Sequence, residues 1–206
     1  MNRRHIPGED IRTLGDISFA PALTEALLPQ TDYDVDRWLF VPCRYEEYRY
    51  LLGTRGARPL ICLGINPSTA RPDALDPTLQ SAQRIALNNG YDAFIMLNVY
   101  AQRATRPEDM ERTFNPALHR ENLAALDYAL SIQPSPVIWA AWGTLIEKRP
   151  YLWDCLRDIA RLAQARGAAW VCCGRRSKAG HPHHPLYLRK DEPLVPFDLQ
   201  DYLRAR

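Results

Sequence analysis

From residue 58 onward, apolar and polar positions fall into alternating blocks. Four apolar runs, Leu60 to Leu63, Ala93 to Leu97, Val137 to Trp142 and Ala168 to Cys173, are separated by amphipathic segments of helical period. A run without polar alternation is the pattern of a strand covered on both faces, as in a parallel sheet. The first amphipathic segment opens on Asp76 and Pro77, carries Leu79, Ala82, Ile85 and Ala86 on one face, and stops at Gly90. The second repeats that start with Asn115 and Pro116 and shows Leu123, Leu126 and Leu130. The third follows Pro150, shows Leu152, Leu156, Ile159, Leu162 and Ala163, and ends at Gly167. A capping Asp or Asn, a proline at the first helical position and a glycine just past the last are helix punctuation. Strand, helix, strand, three times over, predicts βαβ crossovers with helices on both faces. The expected fold is α/β, a three-layer αβα sandwich around a central, mostly parallel four-stranded sheet.

The remaining chain divides at about residue 36. Residues 1–36 read as an N-terminal arm with a short helix near Ala22 to Leu28, and residues 37–206 as a single α/β domain. Within 37–52, Trp38-Leu39-Phe40-Val41 precedes Tyr45, Tyr48 and Tyr50, which alternate with Arg44, Glu46, Glu47 and Arg49. That stretch fits an edge hairpin or a strand–helix lead-in.

Composition adds limits. At 206 residues, 46% hydrophobic and 24% charged, the chain buries an ordinary globular core. A net charge of +2 neither demands nor excludes a nucleic-acid partner, because local patches matter more. No stretch approaches the roughly 20 apolar residues of a membrane helix, and no apolar run follows the basic N-terminus. Five cysteines, Cys43, Cys62, Cys155, Cys172 and Cys173, form no CxxC pair and sit largely in apolar settings, as reduced core thiols do. The expected protein is a cytoplasmic monomer with no membrane partner and no cofactor.

Candidate chemistry lies at the strand ends, where open α/β sheets bind ligands. The first run ends in Gly64-Ile65-Asn66-Pro67-Ser68-Thr69-Ala70. Gly64 is expected to take a backbone conformation closed to other residues, with Pro67 fixing φ just beyond, so that the Asn66 amide is held in place. The second run ends in Asn98 and Tyr100, the third in Trp142-Gly143. The fourth leads into the basic loop Arg175, Arg176 and Lys178, then into His181-Pro182-His183-His184-Pro185-Leu186-Tyr187. Two amides, histidines and a basic loop on one rim suit a polar, hydrogen-bonding ligand, with or without a phosphate. Each element also has a plainer role: an Asn caps a turn, Trp-Gly is core followed by a turn, a basic loop is solvated. The histidines suit a metal by type, yet no Asp, Glu or Cys partner spacing accompanies them.

These motifs carry a resemblance. Gly64-Ile65-Asn66-Pro67 resembles the water-activating GINPG motif of mismatch-specific members of the uracil-DNA glycosylase superfamily, with Ser68 at the second glycine. Ile95-Met96-Leu97-Asn98 resembles the strand end whose asparagine reads uracil, Ile138 to Gly143 resembles the strand ending in WG, and His184-Pro185-Leu186 resembles the start of HPSPLS. The chain also resembles a bacterial and phage family known as a domain of unknown function, through Asn66-Pro67-Ser68-Thr69-Ala70, Asp76-Pro77-Thr78, Trp142-Gly143 and His184-Pro185-Leu186-Tyr187. The resemblance spans about residues 37 to 190. It implies a uracil-DNA glycosylase-like fold and a nucleobase partner, in DNA or as a free nucleotide.

The resemblance also implies roles. Asn66 orients a water and His184 stabilises the departing base. Asn98 reads the base edge, with Gly64, Ile65, Pro67, Ser68, Thr69, Trp142 and Gly143 shaping the pocket. Tyr100 or Tyr187 stacks on the base, and Arg175, Arg176 and Lys178 hold phosphates. The activity implied is hydrolysis of an N-glycosidic bond; a non-catalytic nucleobase-binding module on the same fold is the alternative.

Overall fold

The computed structural model describes residues 5–7 and 17–206; residues 1–4 and 8–16 of the expected arm lie outside the described residues. Along the chain, helix α1 (Phe19–Ala26) precedes a hairpin of β1 (Trp38–Val41) and β2 (Leu51–Thr54). Then follow β3 (Pro59–Gly64), α2 (Pro77–Asn88), β4 (Ala93–Asn98), α3 (Pro116–Ser131), β5 (Val137–Ala140), α4 (Tyr151–Ala165), β6 (Ala169–Cys173), β7 (Leu194–Pro196) and α5 (Leu199–Arg204). The strands form one seven-stranded sheet in the order β1-β2-β4-β3-β5-β6-β7.

The four apolar runs are its parallel centre: β3 pairs with β4 on one side and β5 on the other, and β6 follows β5. Of the two readings for residues 37–52, the hairpin is the one formed, with Trp38 opposite Thr54 and Val41 opposite Leu51. It joins the sheet antiparallel to β4, while β7 closes the far edge antiparallel to β6. The sheet is therefore larger than the expected four strands. The three residues of β7 are too few to show a period, and their proline is tolerated because the strand lies at an edge.

The helix signals act as anticipated. Asp76 caps α2 by accepting from the Leu79 N–H at 3.0 Å, and Asn115 caps α3 by accepting from the N–H groups of Ala117 and Leu118, each at 3.1 Å. Gly90 and Gly167, past the ends of α2 and α4, take φ of 82° and 66°, the left-handed region glycine enters most cheaply. Helices cover both faces. Ile61 and Leu63 of β3 join the core under α1, α3 and α4, while Leu60 and Cys62 join the core under α2. All five cysteines are free thiols, and among the described residues no helix is long and apolar enough to cross a membrane.

Pairing continues past the carboxyl ends of β3 and β4. The N–H groups of Val99, Tyr100 and Ala104 donate to the carbonyls of Gly64, Ile65 and Pro67, each at 2.9 Å. On the other side of that second loop, Arg49 N–H donates to Ala101 O at 3.0 Å and Arg103 N–H to Glu47 O at 2.8 Å. Three segments are thus zipped side by side: 45–50, 99–105 and 64–70. This fixes the geometry above the strand ends.

Candidate functional site

A cavity of about 570 Å³ opens above β3 and β4, bordered by the 64–70 loop, the first turn of α2, and the His184 loop. Asn98 lies at its floor, in register with Gly64 and 1% exposed. Among the described residues, neither its Oδ1 nor its Nδ2 has a hydrogen-bond partner. A buried carboxamide left unpaired costs about 1–3 kcal/mol, so this amide is paired by something else or pays for nothing. Its backbone, by contrast, is firmly held: the Asn122 Nδ2 donates to the Asn98 carbonyl at 2.9 Å.

Asn66 borders the same cavity. Its Nδ2 donates to Ala104 O at 2.7 Å and to Pro67 O at 3.1 Å, bracing the loop against its neighbour. With the nitrogen so engaged, the side chain offers its oxygen, an acceptor, to an incoming group.

His184 borders the same cavity. Its Nδ1 accepts from the Leu186 N–H at 3.4 Å. In the neutral ring the proton then resides on Nε2, which becomes the donor. Burial pushes the imidazole below its ordinary value, and the Asp76 carboxylate partly offsets that shift. Gly143 positions this histidine: φ is 61°, and a Cβ there would stand 3.4 Å from the His184 Cβ.

Charge is concentrated behind the 64–70 loop. Arg49 and Arg103 are 1% and 0% exposed, and their guanidinium Nη1 groups donate to loop carbonyls, Arg49 to Ala70 O at 3.1 Å and Arg103 to Ser68 O. Burial, reinforced by the Arg103 charge, pushes the Arg49 guanidinium down to about 9, which still leaves it cationic at neutral pH. Burial pushes Arg103 down to about 10, against the opposing pull of Tyr45, Glu47 and Asp76. Arg49 borders the cavity, and among the described lining residues the carboxylate is Asp76.

The family described as "Protein of unknown function (DUF1643)" matches residues 49–186, about two-thirds of the chain. The chain belongs to that family. The matched span runs from Arg49 to Leu186, and every residue lining the cavity lies within it. The chain is also similar to the telomere length regulation protein TEL2 homolog of Homo sapiens, 28% identical over 155 residues. That similarity covers 75% of this chain but 18% of that protein, so the chain spans less than a fifth of the relative's length. No solved structure matches the chain.

In this DUF1643 protein, the structure gathers Ile65, Asn66, Ser68, Thr69, Asn98 and His184 around one cavity, with Gly64 and Pro67 in its supporting loop. Other residues singled out from sequence lie elsewhere. The Tyr100 ring is buried against Tyr151, with centroids 5.0 Å apart; its hydroxyl donates to Glu111 and accepts from the Asn115 N–H. It is part of the core and presents no stacking face to the cavity. Trp142 is fully buried, and its Nε1 donates to the Tyr202 hydroxyl at 3.1 Å, locking α5 onto the sheet edge. Tyr187 is 79% exposed beside His184, outside the cavity lining. Arg175, Arg176 and Lys178 are exposed and do not border the cavity; Arg176 instead lies over the Phe197 ring at 4.9 Å. His181 is buried between the Tyr202 hydroxyl at 2.7 Å and Glu147 at 2.9 Å, serving different neighbours from His184.

Gly64 requires a correction. Its φ is outside the left-handed region, so no special backbone conformation calls for glycine there. The reason is space: a Cβ would come within 2.6 Å of Met96 Cε and 3.0 Å of Asn98 Oδ1. Gly64→Ala is therefore expected to displace the Asn98 amide and destabilise the fold by about 1–3 kcal/mol. Thermal denaturation checks the stability change, and a ligand titration checks that binding weakens more than global stability alone dictates.

Sequence reasoning missed Arg49 and Arg103. Both lie among tyrosines and polar residues, which is the local signature of a solvated segment. Their burial follows from the three-segment zipper, a long-range feature without a local sequence mark.

Proposed function

We propose that this cavity receives a nucleobase and that the protein cleaves the N-glycosidic bond holding it, on a distant variant of the uracil-DNA glycosylase fold. The observation that carries the proposal is the Asn98 amide, buried at the cavity floor with a donor and an acceptor that no described residue pairs. An adjacent donor and acceptor complement the edge of a base, where the ring offers the same pair reversed.

The other two groups fit the chemistry of the bond. Its cleavage builds positive charge on the sugar and negative charge on the departing base. A neutral His184, with its proton on Nε2, is a donor to the developing anion. Asn66 Oδ1 is an acceptor that orients a water toward the sugar carbon. One preorganised donor of this kind is worth about 3 kcal/mol in a transition state.

The test is a panel of oligonucleotides and nucleotides carrying uracil, mismatched bases and modified bases, assayed for base release. Asn66→Ala is expected to slow release by about 100-fold or more while the protein remains folded. Release at an unchanged rate removes Asn66 from the mechanism, and absence of release with every base overturns the hydrolase assignment. The bracing of Asn66 Nδ2 by Ala104 and Pro67 favours a second reading, a binding module in which Asn66 only shapes the loop. That reading predicts tight base binding and no release.

A further inference from the structure

The buried arginine pair ties down the 64–70 loop, but it does so at an electrostatic cost. Arg49 and Arg103 both donate to Ala70 O, which brings two like charges together, and among the described residues neither forms an ion pair with a carboxylate. Their hydrogen bonds go to the carbonyls of Ser68 and Ala70, leaving Arg49 Nε and Arg103 Nε and Nη2 without partners. Arg103 also lies over the Tyr45 ring at 4.3 Å, but carbonyls and one aromatic face do not balance two cations taken out of water. Arg49 borders the cavity, and so does Thr78 in the first turn of α2, whose N–H takes no partner among the described residues. The positive end of that twelve-residue helix faces the same space.

We propose that the cavity is a mononucleotide site: the base on Asn98, and a phosphate monoester on the buried guanidinium of Arg49 and the first turn of α2. This rests on the nucleobase reading above and names its substrate class. A guanidinium fork matches a phosphate's oxygens, and the charge-assisted bonds are among the strongest available. The volume of about 570 Å³ suits a single nucleotide. A strand of nucleic acid fits less well. Arg49 is 1% exposed, so its phosphate has to enter the cavity, and the exposed Arg175, Arg176 and Lys178 that would track a strand do not border it.

The experiment is calorimetric titration of the full chain at fixed ionic strength. The probes are the common nucleosides with uridine and thymidine included, their 5′-monophosphates, inorganic phosphate, and a single-stranded deoxyoligonucleotide. At least one 5′-monophosphate is expected to bind roughly 10- to 100-fold tighter than its nucleoside. Arg49→Met is expected to bring the two together, and Arg49→Lys to restore part of the difference. If the wild-type protein binds nucleoside and monophosphate equally, the phosphate site is overturned while the base pocket stands; this comparison needs no variant. If inorganic phosphate binds but no nucleoside or nucleotide does, the base pocket is overturned and the anion site stands. Binding of the oligonucleotide without the monophosphates overturns the mononucleotide assignment, and binding of no probe overturns both.

Discussion

Replacing Asn98 by leucine is expected to make the protein more stable and, at the same time, unable to bind its ligand. Ordinarily a buried amide is removed at a cost, because its partners are left behind. Here the side chain has none: Oδ1 and Nδ2 are both buried and unpaired, and the strand is held through the Asn98 carbonyl, which any residue supplies. Removing an unsatisfied buried amide relieves about 1–3 kcal/mol, and leucine adds apolar contact with Met96 and Leu145 along the cavity wall. For a chain of this size, each kcal/mol raises Tm by about 2–4 °C. Ligand affinity is expected to fall by about 100-fold or more, since two hydrogen bonds are lost and base polar groups are left facing a hydrocarbon. Differential scanning calorimetry measures the first effect and titration the second. A fall in Tm with affinity retained would show that Asn98 serves the fold.

This tension between stability and binding explains which parts of the protein were legible in its sequence. The central strands declared themselves because a strand buried on both faces is apolar throughout. Helices α2 and α3 declared themselves through Asp76-Pro77 and Asn115-Pro116, where capping chemistry is confined to adjacent residues. Asn66, Asn98 and His184 were visible as polar residues interrupting that order at strand ends. Arg49, Arg103 and the reason for glycine at 64 were not, each because of long-range contacts. The arginines are charged residues in two segments of mixed polarity, and the pairing of residues 47–49 with residues 101–103 takes them out of solvent. The need for glycine at 64 comes from the side chains of Met96 and Asn98 on the neighbouring strand, which local backbone rules cannot convey. Tyr100 and Trp142 erred the other way: both stand at strand ends, but their rings turn into the core.

His184→Asn is expected to cost about 100-fold or more in base release, as removal of one preorganised donor does, without loss of fold at neutral pH. Asparagine is a good helix-capping residue, so it can take over from Nδ1 as acceptor for the Leu186 N–H at the turn that follows. It does not titrate, and that supplies a second readout. Burial holds the histidine below its ordinary value of 6.5, with Asp76 pulling weakly the other way. Between the lowered folded value and 6.5, the unfolded chain binds more protons at this position than the native one. Stability contributed by the neutral ring is therefore complete above that window and is lost as pH falls through it. Protonation also places a second N–H on Nδ1, facing the Leu186 N–H it previously accepted from. Thermal denaturation at pH 7.5 and at pH 5 is expected to show a larger loss for the wild-type protein than for His184→Asn. A histidine that merely packed against Gly143 would lower the rate little on substitution. A solvated one would give both proteins the same pH response. The assigned role requires the rate and the pH response to change together, because one half-buried, neutral, Nε2-protonated ring underlies both.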